Sequence, residues 1–144
     1  MQKTPMPKPE EVPSRWLLVD AQDKVLGRLA SQVARILTGK NKPQFTRHLC
    51  VGDYVIVINA DKITVTGQKT RQKIYYRYSG YPGGLKSIAL GKLQQKNPER
   101  LFRDAVWGML PKNRLGRRVL SHLHIYSGSS HQHKAQKPEV YQVK

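Results

Sequence analysis

Hydrophobic residues along this chain fall into short runs and helical stripes, and the two patterns alternate. Residues 15–20 (RWLLVD) form an apolar run bounded by polar residues, which predicts a buried strand. Across 26–39, Leu26, Leu29, Ala30, Val33 and Leu37 recur at helical spacing, with Arg28, Ser31, Gln32 and Arg35 on the opposite side. Asp23 is the expected N-cap of that helix and Gly39 its stop. Residues 54–59 (YVIVIN) hold an unbroken aliphatic run, Val55 to Ile58, rather than an alternating pattern, as in a central strand covered on both faces. A β-branched run at 63–66 predicts another strand, ending at Gly67. Residues 101–110 read as a helix that follows Pro98 and Glu99 and stops at Pro111. Residues 115–120 read as a short basic helix and 123–126 as a last strand. Alternating strands and helices predict an α/β sandwich with a mainly parallel sheet. Four prolines and few apolar residues make 1–14 an extended N-terminal arm, and the polar, Lys-rich 127–144 an extended basic C-terminal tail. The 15–126 segment between them is read as a single α/β domain, consistent with a length of 144 residues.

Charge changes this picture most. The chain carries 26 Lys or Arg against 9 Asp or Glu, a formal net charge of +17. Residues 62–118 hold fourteen of the basic residues and only two acidic ones, Glu99 and Asp104. A solvated face mixes both signs because unbalanced like charges destabilise the compact state, so this excess points to a polyanionic partner. Nucleic acid comes first and an anionic membrane surface second. No basic amphipathic helix with a bulky apolar face supports the membrane alternative. No apolar run exceeds four residues, where a membrane span needs about 20. The N-terminus lacks the apolar stretch of a secretory signal. Cys50, the single cysteine, cannot form an internal disulfide and fits a reducing compartment.

Candidate catalytic chemistry is sparse. The first strand–turn–helix invites a dinucleotide-binding reading, but its turn (DAQDKVLG, 20–27) has one glycine where close pyrophosphate approach needs three. Gly39-Lys40 belongs to no phosphate-cradling P-loop pattern. Asp20, Asp23, Asp53 and Asp61 stand at strand ends, where turns want a short acceptor, and Asp20 and Asp53 could meet at one sheet edge. No serine lies in a nucleophile elbow. His122 and His124 share one strand face and His131 and His133 lie in the tail, but no cysteine pair or H-E-x-x-H accompanies them. The expectation is a protein with no catalytic residues, no metal site, no cofactor and no small-molecule substrate.

Three basic segments carry the binding signal. The first, residues 39–48, offers Lys40, Lys42, Arg47 and His48 around Phe45. The second, residues 68–86, concentrates Lys69, Arg71, Lys73, Arg77 and Lys86 with four tyrosines, among them Tyr75 and Tyr81, and three glycines. Cations match phosphates, tyrosines offer stacking faces, and glycines let a backbone approach closely. For Tyr75 and Tyr76 packing within a strand is the alternative. The third, residues 111–118, presents Lys112, Asn113, Arg114, Arg117 and Arg118 at a helix start. In the tail, His131 and His133 beside Lys134 suit hydrogen bonding or stacking to RNA. No base-reading module is present, so the expected partner is a structured RNA recognised by shape.

At these segments the chain resembles the universal large-subunit ribosomal protein thirteen family, bacterial type. The matching stretches run in order: 26–30 (LGRLA), 39–43 (GKNKP), 53–59 (DYVIVIN), 66–69 (TGQK), 76–84 (YRYSGYPGG), 105–111 (AVWGMLP), 115–117 (LGR) and 135–138 (AQKP). The resemblance implies a three-layer α/β/α sandwich with a roughly four-stranded sheet and no catalysis. It implies binding to large-subunit ribosomal RNA, neighbouring large-subunit ribosomal proteins as partners, and a role early in subunit assembly. Carried over by residue, it implies RNA contacts at Lys40, Lys42, Lys69, Arg77, Lys86, Lys112, Asn113, Arg117 and 131–134. The chain departs from the family pattern at Tyr78, where the family has His, and at Gln132, where it has Pro between two histidines. The Pro-rich arm resembles cyanobacterial and plastid members, which implies a ribosome in bacterial cytoplasm or a plastid.

Overall fold

The computed structural model describes residues 6–8 and 11–143. Half of the N-terminal arm, residues 1–5, 9 and 10, lies outside them. In chain order the elements are β1 (Trp16–Asp20), α1 (Leu26–Thr38), β2 (Tyr54–Ile58), α2 (Lys69–Gln72), β3 (Ile74–Tyr78), β4 (Leu85–Ala89), α3 (Leu90–Lys96), α4 (Pro98–Met109), α5 (Arg114–Leu120), β5 (Leu123–Ile125) and β6 (Glu139–Val140).

β1, β2, β5 and β6 form a four-stranded sheet in the order β5-β2-β1-β6, with every pair parallel. The α/β class and parallel sheet therefore agree with the sequence reading. Register places Leu17 opposite Val55, Val55 opposite Leu123, and Val57 opposite Ile125. Residues in register share a face, so these side chains and Val19 line one side of the sheet. Leu29, Val33 and Leu37 of α1 and Leu101, Phe102 and Val106 of α4 pack with them in one core. On the other side Trp16 stacks on Tyr54 at 4.4 Å and Tyr54 on His122 at 4.2 Å. His133 from the tail tilts against Trp16 and His124.

The fourth strand is not the one expected. Residues 63–66 make only an isolated bridge, Val25 to Thr64, because their neighbour is the 24–26 turn rather than another strand. A single 3₁₀ turn over Ala60–Lys62 leads into them. Position four is filled by β6, beside β1, where the Tyr141 amide donates to the Leu18 carbonyl.

Asp23 is likewise no N-cap. It sits at φ 55° in the turn before α1, and Val25, which offers no side-chain acceptor, occupies the cap. Gly39 does end α1: at φ 77° its amide bonds to the Ile36 carbonyl while Lys40 bonds to Arg35. At Gly52 the chain passes so close to that helix end that a Cβ would lie 1.8 Å from the Leu37 carbonyl oxygen. Asn97 and Asn113 cap α4 and α5, accepting from the Arg100 and Gly116 amides at 2.9 and 2.7 Å.

Candidate nucleic-acid interface

β3 and β4 form an antiparallel hairpin separate from the main sheet. One of its faces holds Tyr75 opposite Ile88 and Arg77 opposite Lys86. Directly opposed like charges cost stability on a sheet face, yet no acidic residue occurs anywhere between Asp61 and Glu99 to relieve them. The other face carries Tyr76 and Tyr78, 64% and 63% exposed, opposite Ser87 and Leu85. Tyr81, 75% exposed, stands in the turn. Both readings of the tyrosines are thus realised: Tyr75 is half-buried against the core, and Tyr76 is free of it. The hairpin carries Arg77, Lys86 and the half-buried Tyr75 on one face and the exposed rings of Tyr76 and Tyr78 on the other.

The three segments are linked through two clefts. One, of about 580 Å³, lies between the start of α1, the end of α4 and the base of the hairpin, with Arg28, Lys69, Lys73 and Tyr75 on its walls. The Lys73 ammonium lies 5.0 Å from the Tyr75 ring centroid. A second, of about 480 Å³, brings the first and third segments together, with Lys40, Phe45 and Arg47 facing Asn113 and Leu115. Met109 lines both clefts and also a shallow groove with Ser31, Arg35 and Lys40. Exposed Arg28, Ser31 and Arg35 therefore extend the basic surface along the outer flank of α1. Sequence reasoning placed them on the polar side of that helix without assigning them a site. Their i, i+3, i+7 spacing was the available signal. Arg103 was also passed over; it shares a groove at the β5 edge with Arg117 and His124.

Lys40, Arg47, His48, Lys69, Arg71, Lys73, Arg77, Lys86, Arg114, Arg117, Arg118 and Lys134 are all exposed. Other candidates have partners within the fold. Lys42 ion-pairs with Asp53 at 2.6 Å and donates to the Pro13 carbonyl at 2.9 Å, so its charge closes the arm against the 40–44 loop. The Lys112 ammonium donates to the carbonyls of Trp107 and Leu110 and lies over the Trp107 ring, closing the end of α4. Asn113 spends its side-chain oxygen on the α5 cap. His133 sits on the opposite side of the sheet from the main core, against Trp16 and His124, and both His131 Nδ1 and His133 Nε2 are buried and lack a hydrogen-bond partner among the described residues.

The carboxylates do not converge. Asp53 precedes β2 and accepts from the Arg15 amide, whereas Asp20 ends β1, at the opposite end of adjacent parallel strands. Asp20 accepts from Asn59 Nδ2 at 2.9 Å and from the Gln22 amide, and these bonds hold its pKa below the usual carboxylate value. Burial lowers the pKa values of His122 and His124, and the cations Arg118 and Arg103 act in the same direction. Burial raises that of Cys50, whose sulfur lies 3.9 Å from His122 Nδ1. Among the described residues no group of three or more His, Cys, Asp or Glu could hold a metal ion. The arrangement can bind anions over a broad surface and offer flat rings beside them.

Residues 14–132 match the family model for ribosomal protein L13. The chain is 56% identical over 144 residues to the large ribosomal subunit protein uL13 of Listeria innocua, covering all of this chain and 99% of that one. It is 58% identical over 143 residues to the uL13 of Thermotoga petrophila, covering 99% of this chain and 96% of the relative. A match of this extent establishes descent as well as fold, and the chain belongs to the ribosomal protein L13 family.

Proposed function

We propose that this chain binds large-subunit ribosomal RNA through the hairpin and the two clefts, and that it does so early enough to support subunit assembly. As an L13-family member it is a structural, non-enzymatic constituent of the large ribosomal subunit. The RNA-binding role belongs chiefly to the 15–126 domain, to which the 127–144 tail adds His131, His133 and Lys134, with neighbouring large-subunit proteins as further partners. Phosphate neutralisation is the mechanism: exposed cations release counterions from the RNA backbone, and the shape of the clefts selects a folded junction. The observation that carries this reading is Arg77 opposite Lys86 in a stretch without a single carboxylate, a like-charge pair whose repulsion a phosphate lying across it would relieve. Lys40, Arg47, His48, Lys69, Arg71, Lys73, Tyr75, Tyr81, Arg114, Arg117, Arg118 and Lys134 complete the contact set. Lys42, Lys112 and Asn113 shape it from within. His131 and His133 form a second, smaller stacking surface on the other side of the sheet. Co-sedimentation tests the proposal: the native protein should travel with large subunits and resist a moderate salt wash. Recovery in the free-protein fraction at low salt would refute it.

A further inference from the structure

Two glycines point to an occupant of the larger cleft. Gly27 lies in α1 and Gly108 in α4, each one residue inside a helix end. Neither has a positive φ, and a Cβ at either would meet nothing within 4 Å. The chain's other glycines are unlike them. Gly39, Gly67, Gly80 and Gly83 have positive φ, and Gly52, Gly84, Gly91 and Gly116 lie too close to neighbouring atoms for an unstrained Cβ. Gly128, in the tail, is the one further unconstrained position. Thus the two helical glycines that no close contact among the described residues requires are both on the wall of the same cleft. Glycine weakens a helix relative to any side chain that would fit there, so these positions serve the open space in front of them.

The walls specify what fills that space. Arg28, Lys69 and Lys73 bring three cations to it, and Asp104, the one acidic residue among the described residues on its walls, is paired with Arg100 at 3.5 Å. Tyr75 supplies a ring, and Met109 a polarisable side chain. A volume of about 580 Å³ suits a small ligand or a single nucleotide, not a helix of RNA. We propose that the cleft takes one unstacked nucleotide of the bound RNA, its base against Tyr75 and its phosphate among Arg28, Lys69 and Lys73. Recognition of extruded, unpaired bases by stacking is how proteins read structured RNA beyond its backbone. The inference rests on the RNA-binding reading above but makes a separate claim, because the exposed hairpin could bind phosphates with the cleft empty.

Filling the cleft is the test. Gly27→Leu and Gly108→Phe add a side chain at the cleft wall while leaving Arg28, Lys69 and Lys73 in the sequence. Each should keep or raise the melting temperature while weakening affinity for large-subunit ribosomal RNA about tenfold or more, the contribution typical of one stacked base. Ultraviolet cross-linking of the wild-type complex, read by mass spectrometry, should place a base adduct on Tyr75. Affinities within twofold of wild type, or no adduct at Tyr75, would overturn the nucleotide and leave the RNA-binding reading intact. Unchanged RNA affinity with reduced subunit incorporation would assign the cleft to a protein neighbour and overturn it equally. If the filled variants melt early, the Tyr75 adduct decides alone. A wild-type chain that fails to bind the RNA would overturn both readings.

Discussion

Replacing Arg77 with Glu should strengthen the hairpin and weaken RNA binding at once. Arg77 and Lys86 are directly opposite, and the flanking bonds, Leu90 amide to Lys73 carbonyl and Ser79 amide to Gly84 carbonyl, make them a hydrogen-bonded pair in the alternating antiparallel pattern. Arg77→Glu removes a like-charge pair and installs an opposite one. Both side chains are exposed, so the gain is limited to about 0.5–1 kcal/mol. That corresponds to roughly two- to fivefold slower amide exchange at residues 75, 77, 86 and 88 if the hairpin opens locally. The same change loses a charge-assisted phosphate contact, worth about tenfold or more in affinity, and adds repulsion. Hydrogen exchange by NMR and a filter-binding titration at fixed salt read the two effects independently. Increased protection with RNA affinity within twofold of wild type would remove the hairpin from the interface. Faster exchange in the hairpin would mean that Arg77 serves the fold, contrary to the pairing described.

Val33→Ala should show the opposite pattern. Val33 is fully buried in the core, and losing two methyl groups with a partly collapsed cavity should cost about 2–3 kcal/mol. Calorimetry should show a drop of roughly 4–10 °C, with RNA affinity retained below the transition; an unchanged melting temperature would contradict the core assignment. Gly52→Ala should cost at least about 3 kcal/mol, since its Cβ would fall 1.8 Å from the Leu37 carbonyl oxygen, and a variant as stable as wild type would refute that close approach. For pH, His122 and His124 have folded pKa values below the ordinary 6.5, so the folded state binds fewer protons than the unfolded one. Their contribution is intact above pH 6.5 and is lost as pH falls from there toward the folded values, with Asp20 adding a further loss below 3.8. Melting temperatures that rise on acidification from pH 7 to 5 would reverse that sign.

How far the sequence disclosed this molecule depends on burial. β1, β2 and α1 were legible because one-sided or full burial writes a run or a 3.6-residue stripe, as Val19, Val33 and Val57 show. α4 was legible for the same reason, helped by Pro98 at its start, and α5 as a short basic helix, whereas the capping role of Asn113 became visible only in the fold. The β3–β4 hairpin left no such mark. Only Tyr75 and Ile88 touch the core, so solvent-facing tyrosines and cations hide its alternation. β6 spans two exposed residues, too few to carry a pattern, and 63–66 carried a strand pattern without finding a strand to pair with. Within the site, the basic segments were visible as charge, but their pairing across clefts depends on tertiary contacts. Lys42 illustrates the limit. As a residue in a basic loop it resembles Lys40, and only the folded position of Asp53 turns its ammonium inward.

The most direct test of the central claim is the salt dependence of binding to large-subunit ribosomal RNA. A surface that neutralises phosphates with Arg77, Lys86 and the cations of the two clefts should give a linear fall of log K with log salt, of about 0.7–0.9 per contact and several contacts in total. A double variant, Arg77→Ala with Lys86→Ala, should reduce that slope by about 1.5. A slope near zero, or one unchanged by the double variant, would contradict the account.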